Sequence, residues 1–261
     1  MSTSPLLINE TSISRVWANA ILHVIAHPGK TISPLIVSIT GFDQNQIPED
    51  ASFRGAVDAA LEAANEQSAH TVANTIFPQS IWRLARGDRQ RLYESYIENF
   101  PRLQALARRQ NRRGLYFERL IRWRPEGETV NQVEWIIGQY HNRGGVRRSA
   151  LQAGLFDPDR DHIPDAQLGF PCLQQISFVP DGSSLVMNAF YAKQSLFQKA
   201  YGNYLGLCRL GAFMAGQMGL ILERVNITVG VAELEMLSKS HPVMKGLKQA
   251  AELLLNPAAT A

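Results

Sequence analysis

The chain has 261 residues, of which 45% are hydrophobic and 19% charged, and its formal net charge is +3. This composition is ordinary for a folded globular protein and excludes a disordered chain, a collagen-like chain and a coiled coil. Its two cysteines exclude a disulfide framework and a four-thiolate zinc site. No apolar run is long enough to cross a bilayer, and the first fifteen residues do not resemble a signal peptide. We therefore expect a cytoplasmic protein with reduced thiols.

The first half of the chain predicts mostly helices. Apolar residues recur at helical spacing in several segments, and Gly, Pro and Asn separate those segments. The predicted elements are, in chain order, a helix over 13–27, a strand over 35–40, a helix over 53–69, a helix over 80–86, a helix over 88–110 broken near Pro101, a helix over 131–142, an extended segment over 149–156 and a polar loop over 157–164.

The second half of the chain predicts a hairpin followed by alternating helices and strands. The predicted elements are a strand over 173–180, a turn over 181–183, a strand over 184–192, a helix over 203–220, a strand over 222–231 and a helix over 240–255. The helix over 203–220 carries small residues suited to close packing (Gly206, Gly211, Ala212, Ala215 and Gly216). Hairpins combined with long helices favour an α+β fold in one domain over 1–261.

Positive charge is concentrated in the middle of the chain. Residues 83–148 hold fifteen arginines against seven acidic residues, a local net charge of +8. A guanidinium is always charged and offers a planar fork of donors suited to phosphate. Most of these arginines are expected on solvated helix faces, and a subset could bind a phosphorylated ligand.

The two cysteines have different surroundings. Cys208 lies on an apolar face of the predicted helix over 203–220, where we expect a small core residue. Cys172 follows Phe170-Pro171 and opens a predicted strand. A thiol at a strand start is commonly a buried hydrophobe as well, so position alone leaves Cys172 open to a structural or a nucleophilic role.

Several short motifs around Cys172 occur in a familiar order. They are Arg86-Gly87-Asp88, Gly114-Leu115-Tyr116, Arg122-Trp123, Val130-Asn131-Gln132-Val133, Arg147-Arg148-Ser149, Phe170-Pro171-Cys172, the segment FYAKQS over 190–195, and Asn203 at the start of a helix. Through them the stretch 114–235 resembles the thymidylate synthase family, which includes the pyrimidine hydroxymethylases. No single motif is specific, but their order and spacing are.

The resemblance implies a fold, an assembly and a reaction. The fold would be the α+β thymidylate-synthase-like fold, a mixed β-sheet packed with helices, in a homodimer formed through the sheet. The activity would be one-carbon transfer to C5 of a uracil nucleotide such as dUMP, by methylation or hydroxymethylation. The donor would be methylenetetrahydrofolate or a related folate, and no metal would be required.

The resemblance also implies roles for individual residues. Cys172 would be the nucleophile, whose thiolate adds to C6 of the pyrimidine ring. Arg147 and Arg148 would bind the phosphate from the neighbouring subunit, together with Lys193 and Gln194. Arginines near Cys172 would lower the pKa of its thiol.

Base reading is assigned to Asn203. Its amide can donate to O4 and accept from N3–H of uracil, which favours uracil over cytosine.

Several positions depart from the family pattern. The family's catalytic Glu falls at Ser80, its phosphate Arg at Lys193 and the neighbouring Ser at Gln194. Folate-contacting positions fall at Leu120 and near Leu196. The short C-terminal portion leads us to expect no lid over the site, which would then exclude water less well.

Two acidic residues replace the family's sugar-binding His-x-Tyr pair. Glu233 and Glu235 lie two apart, so on a strand they would share one face. They could accept hydrogen bonds from a ribose diol, or they could be exposed acids after an edge strand.

Two alternatives remain open at this level. A catalytically degenerate homologue could retain the fold and bind a nucleotide without turnover, as Ser80 suggests. A nucleic-acid-binding module could use the arginines of 83–148. The six histidines are scattered, and His23 and His27, though on one helix face, lack an evident third metal ligand. The sequence does not decide between ribo- and deoxyribonucleotide.

Overall fold

The computed structural model describes residues 5–124, 129–142, 145–162, 164, 170–235 and 237–256. Two predicted segments are therefore covered in part: residues 125–128, 143 and 144 of the arginine-rich stretch and Ile163 of the polar loop lie outside the described residues. The strands are β1 (Leu6–Glu10), β2 (Thr31–Ile32), β3 (Leu35–Ile39), β4 (Gln152–Gly154), β5 (Leu173–Asp181), β6 (Ser184–Ser195) and β7 (Ile221–Glu233).

The described strands form one mixed sheet. Their order is β1–β3–β7–β6–β5–β4, with β2 paired to the end of β7. The pairs β1–β3 and β6–β7 are parallel, and the pairs β3–β7, β5–β6 and β4–β5 are antiparallel. A mixed sheet combined with helices is consistent with the predicted α+β class.

Helices connect and cover these strands. They are α1 (Ile13–Ala26), α2 (Ala51–Ala63), α3 (Ala69–Asn74), α4 (Gln79–Ala85), α5 (Arg89–Leu106), α6 (Arg108–Asn111), α7 (Tyr116–Ile121), α8 (Gln132–Asn142), α9 (Pro158–Asp161), α10 (Tyr201–Gln217) and α11 (Pro242–Leu255). A 3₁₀ turn over Arg148–Ala150 precedes β4, and a π-helical turn over Leu196–Ala200 leads into α10.

Two helix predictions were wrong in their bounds. The helix expected over 53–69 ends at Ala63, because Asn65 adopts a left-handed conformation and Ser68 caps a new helix, α3. The break expected at Pro101 does not occur, and α5 continues to Leu106. Buried Tyr96 and Phe100 anchor this stretch in the core, and their packing offsets the backbone hydrogen bond that Pro101 removes.

The sequence patterns did not predict strands β1 and β2. Leu7 in β1 is 69% exposed, so this segment lacks a clear alternation of buried apolar and exposed polar residues. The polar loop over 157–164 contains the short helix α9, which the side chain of Asp157 caps.

Helix α10 packs closely against α3 and against the sheet. A Cβ at Gly202 would lie 2.5 Å from Cβ of Val72 in α3, and one at Gly206 would lie 2.8 Å from the carbonyl oxygen of Ala73. On another side of α10, a Cβ at Gly211 would meet Leu222 of β7 at 3.1 Å. Glycine therefore allows α10 to approach both α3 and the sheet. Gly216 has no neighbour within 4 Å and does not serve this purpose.

The opposite face of the sheet carries side chains that are at least partly exposed. One row across five strands consists of Leu7, Ile36, Thr228, Phe190 and Gln175, as the pairing registers show. Leu7 is 69% exposed and Phe190 is 39% exposed. This face offers an apolar surface next to polar residues.

Candidate active site

A cavity of about 580 Å³ opens beside the N-terminus of β5. This volume suits a small organic ligand. The end of β6, the π-helical turn, α3, the start of α7 and the loop before α3 supply its walls. Its lining residues are Glu66, Gln67, Val72, Thr75, Asn111, Gly114, Leu115, Tyr116, Arg119, Phe170, Pro171, Cys172, Lys193, Gln194, Ser195, Gln198, Lys199, Asn203 and Glu235.

Cys172 is half-buried in this cavity, directly before β5. Its carbonyl accepts a hydrogen bond from the backbone N–H of Ala192 at 3.0 Å, which fixes the residue to β6. The phenol oxygen of Tyr116 accepts from the N–H of Leu173 at 3.5 Å, so the tyrosine ring lies beside the thiol. The backbone around the sulfur is therefore held by both neighbouring elements.

The thiol is not activated within one chain. Burial raises the pKa of Cys172, the nearby carboxylate of Glu235 raises it further, and Lys193 lowers it in part. The expectation that arginines would lower this pKa is wrong for the single chain. The arginine that lines the cavity, Arg119, is already paired: two of its nitrogens bind Asp161 at 2.7 and 2.8 Å.

Lys193 is held by both predicted sugar-binding carboxylates. Its Nζ lies 2.9 Å from Oε2 of Glu233 and 2.7 Å from Oε1 of Glu235. Hydrogen bonds to these two carboxylates raise the pKa of Lys193. The strand β7 ends at Glu233, so Glu235 reaches the lysine from beyond the strand, and Glu235 lines the cavity. The positive charge proposed for a phosphate is thus already neutralised.

Two carboxamides in the cavity have unused hydrogen-bonding capacity. Gln194 is 2% exposed; its Oε1 accepts from the hydroxyl of Tyr204 at 3.0 Å, and its Nε2 has no partner among the described residues. Asn203 is 6% exposed at the start of α10, and its side chain makes no hydrogen bond within the described ranges. Nε2 of Gln194 is buried without a partner, which costs free energy that a ligand with a matching acceptor would recover.

The loop before α3 and the π-helical turn add polar lining residues that the sequence did not single out. Glu66 accepts from Nε2 of Gln198 at 2.7 Å, and Gln67 accepts from Nζ of Lys199 at 2.8 Å. Burial lowers the pKa of Lys199. These residues follow the left-handed Asn65, so an Asn followed by a Ser cap was the sequence signal that could have located the loop.

Three other predicted positions, Arg147, Arg148 and Ser80, lie outside the cavity. Arg147 and Arg148 are exposed, and Arg148 lies 3.2 Å from Asp181 at the far end of β5. Ser80 is exposed on α4 and does not line the cavity.

Neither Leu120 nor Leu196 can contact a ligand here, because both are fully buried in the core.

The arginine-rich stretch is partly neutralised by the fold. At least five of its described arginines have carboxylate partners: Arg89 with Glu134, Arg119 with Asp161, Arg122 with Glu118, Arg124 with Asp157, and Arg148 with Asp181. Ion pairs of this kind reduce the number of guanidinium groups free for a polyanion. The structure thus gives the nucleic-acid alternative no added support.

Comparison with known proteins gives a distant relationship. No protein-family model matches the chain. A protein of Methanocaldococcus jannaschii named "Putative thymidylate synthase" is 24% identical over 105 residues, which are 40% of this chain and 47% of that protein. The chain thus spans about half the length of that relative. The similarity weakly suggests a thymidylate-synthase-like family, with no reaction or ligand specified.

In the part of the chain that the structure describes, no helix is long and apolar enough to cross a bilayer. Within the same ranges, no three His, Cys, Asp or Glu side chains are close enough together to hold a metal ion.

Proposed function

We propose that the cavity around Cys172 binds a pyrimidine nucleotide and that Cys172 adds to C6 of its ring. One observation carries the proposal: a thiol and two carboxamides with unused hydrogen-bonding groups, Gln194 and Asn203, line the same cavity. Uracil presents carbonyl oxygens and an N–H, which these amides can pair with. The distant similarity to a thymidylate synthase points to the same ligand class.

The chemistry would proceed through a covalent intermediate. The Cys172 thiolate forms a bond to C6, and the electrons of the C5–C6 double bond move to C5 and O4 as an enolate. C5 then attacks a one-carbon electrophile, loses its proton, and the sulfur leaves C6 as the double bond re-forms. Asn203 would donate to O4, where negative charge develops, and accept from N3–H.

Glu66 is a candidate for the proton transfers that this sequence requires. It lines the cavity and is held by Gln198, whereas Ser80 lies elsewhere and has no carboxylate. A carboxylate inside the cavity could exchange protons with the ring through water. We assign this role to Glu66 as part of the proposal.

The cluster of Lys193, Glu233 and Glu235 would contact the sugar and phosphate. Each carboxylate has one oxygen bound to Lys193, which leaves the other oxygen able to accept from a sugar hydroxyl. The phosphate would require more positive charge than Lys193 provides here. Arg147 and Arg148 of a second copy would supply it, as the family resemblance implies.

A homodimer would use the exposed sheet face. We expect a second copy to cover the row that contains Leu7 and Phe190, because both are large apolar side chains at the surface. Analytical ultracentrifugation of the wild type should show a dimer, and Phe190→Glu should yield monomers. A monomeric wild type would remove the proposed source of Arg147 and Arg148.

The residues present do not fit a folate at the two positions inferred for it. Leu120 and Leu196 are fully buried and do not line the cavity, so no contact to a folate arises from them. Methylenetetrahydrofolate remains the donor to be tested because the family resemblance implies it.

The test is incubation with 5-fluoro-dUMP, with and without methylenetetrahydrofolate, followed by intact mass and peptide mapping. After C5 has bonded to the one-carbon unit, release of the sulfur requires loss of the C5 substituent as a cation; a proton can leave but fluorine cannot, so the adduct accumulates when methylenetetrahydrofolate is present. We expect an adduct on Cys172 that is absent from Cys172→Ala, while the fully buried Cys208 stays unmodified. A wild type that neither binds nor reacts with any pyrimidine nucleotide would refute the proposal.

A second candidate function is nucleotide binding without turnover. The observation that favours it is the raised pKa of Cys172 next to Glu235, which leaves little thiolate at neutral pH. In that case calorimetry would show dUMP binding that Asn203→Leu abolishes, with no adduct under any condition.

A further inference from the structure

A second cavity of about 580 Å³ lies on another side of α10. The segment 45–49, helix α4 and the C-terminal half of α10 form its walls. Trp82, Phe213 and Gly216 contribute an apolar side, and Arg83 and Arg209 contribute positive charge. None of these residues belongs to the cavity around Cys172.

Arg209 is half-buried without a carboxylate partner in the described part of the chain. Its Nη2 donates to Nδ1 of His70 at 3.2 Å, and its Nη1 donates to Oδ1 of Asn74 at 3.5 Å, both uncharged acceptors. Burial lowers the pKa of Arg209 to about 10, the like charges of Arg54 and Arg83 lower it further, and the carboxylate of Glu49 raises it in part. The carboxylate of Glu49, which lines the same cavity, therefore compensates the charge of this guanidinium only in part.

Nearby carboxylates are already engaged by another arginine. Arg54 binds Glu49 at 2.8 Å and Asp58 at 2.7 Å. Arg83 lines the same cavity, is exposed, and makes no hydrogen bond or ion pair with any described residue. The charged residues that line the cavity are Arg83, Arg209 and Glu49, so its lining carries a net charge of +1, which is available to a ligand.

The local geometry also keeps His70 uncharged. Its Nδ1 accepts from Arg209, so the ring proton is on Nε2. Burial lowers the pKa of His70, and the charges of Arg209, Arg54 and Arg83 lower it further. His70 thus orients Arg209 by accepting its hydrogen bond, and it carries no charge of its own.

The apolar side of this cavity fits a ring or another compact hydrocarbon group. The Trp82 indole packs edge to face with Phe213, with ring centroids 4.9 Å apart, and both line the cavity. The absence of a side chain at Gly216 leaves space beside them, since a Cβ there would meet nothing within 4 Å. Glycine at this position therefore enlarges the cavity.

We propose that this second cavity binds a small phosphate monoester, with Arg209 and Arg83 holding the phosphate and Trp82 and Phe213 contacting the organic group. Two guanidinium forks match the oxygens of a phosphate, and the pairing would supply the negative charge that Glu49 provides to Arg209 only in part. The site is separate from the function proposed for Cys172 and stands or falls independently of it.

Isothermal titration calorimetry with phenyl phosphate tests the proposal, with inorganic phosphate and phenol as matched probes of its two halves. We expect phenyl phosphate to bind more tightly than either half. Arg209→Gln and Arg83→Gln should each weaken binding about tenfold or more. Cys172→Ala and Arg91→Gln, an exposed arginine on α5, should leave it unchanged.

The variants also separate loss of the site from loss of the fold. Arg83 is exposed, so Arg83→Gln should retain the thermal transition of the wild type even if Arg209→Gln does not. Absence of phenyl phosphate binding, or binding that survives both substitutions, would overturn the proposal. Equal affinity for inorganic phosphate would overturn the part assigned to Trp82 and Phe213.

Discussion

The two cavities have the same volume, about 580 Å³, but their positively charged side chains are paired differently. In the first, Lys193 is held between two glutamates, and the unused polar groups are the neutral amides of Gln194 and Asn203. In the second, Arg83 and Arg209 lack carboxylate partners among the described residues. The first cavity is thus suited to reading the hydrogen-bonding edge of a neutral ring, and the second to binding an anion.

The largest expected loss of stability comes from breaking the buried ion pair between Arg119, which lines the first cavity, and Asp161. Arg119 and Asp161 are 2% and 0% exposed, so Asp161→Ala leaves a buried guanidinium unpaired and should cost about 3–5 kcal/mol of unfolding free energy. Urea denaturation measures this loss. The double variant Arg119→Met/Asp161→Leu should recover much of it, and failure to do so would contradict the assignment to an unpaired charge.

The same pair predicts a pH dependence. Burial alone would raise the pKa of Asp161, but hydrogen bonds from Arg119 outweigh burial and lower it. A carboxylate with a depressed folded-state pKa contributes stability that is complete above its ordinary pKa of about 3.9 and is lost as pH falls through the folded-state value. The difference in unfolding free energy between wild type and Asp161→Asn should therefore narrow only in strong acid.

Two glycines of α10 should respond in opposite directions. A Cβ at Gly202 would lie 2.5 Å from Val72, so Gly202→Ala should destabilise the fold by about 1–3 kcal/mol. Gly216 has open space, so Gly216→Ala should stabilise the helix by about 0.5–1 kcal/mol. Thermal unfolding compares them. Phenyl phosphate binding should fall in Gly216→Ala, because the new methyl group enters the second cavity.

A smaller effect concerns thiol reactivity in the first cavity. Glu235 raises the pKa of Cys172, so Glu235→Gln should shift the alkylation profile with iodoacetamide to lower pH and increase the rate at pH 7 several-fold. Lys193→Gln should slow alkylation, because Lys193 lowers that pKa. An unchanged profile in Glu235→Gln would show that burial alone sets the reactivity.

The smallest effect is expected at an exposed ion pair. Arg148 and Asp181 have side chains 62% and 74% exposed, so Arg148→Gln should change the unfolding free energy by less than about 0.5 kcal/mol. If a second copy supplies Arg148 to the first cavity, the same variant should nevertheless weaken dUMP binding, while phenyl phosphate binding stays constant. A large stability loss would contradict the surface role of this pair.

Sequence patterns located most of the long elements and the position of Cys172. The helix over α1, the hairpin of β5 and β6, and the helices α10 and α11 all follow from periodicity and turn residues. Local patterns could not show that Glu66 lines the same cavity as Cys172, because a single left-handed residue, Asn65, redirects the chain there. They also could not show that Glu233 and Glu235 bind Lys193, since β6 and β7 are joined through α10.

The sequence could not predict the second cavity either, because its arginines come from distant parts of the chain. Arg83 and Arg209 are separated by more than a hundred residues, and each alone resembles a solvated surface arginine. Gly216 was interpreted as a close-packing residue, although the structure places it beside open space. Only the folded structure shows that Glu49 and Asp58 form ion pairs with Arg54, and that Arg83 and Arg209 form none with the described residues.

Hydrogen exchange at C5 of dUMP tests the central claim most directly, because it needs no one-carbon donor. Addition of the Cys172 thiolate to C6 makes C5 basic, so in D₂O deuterium enters at C5, the original proton leaves, and elimination of sulfur returns dUMP. Proton NMR should show the H5 signal disappearing and the H6 doublet becoming a singlet with wild type. No exchange should occur with Cys172→Ala. An H5 signal that persists with wild type despite demonstrated dUMP binding would contradict the nucleophilic role of Cys172.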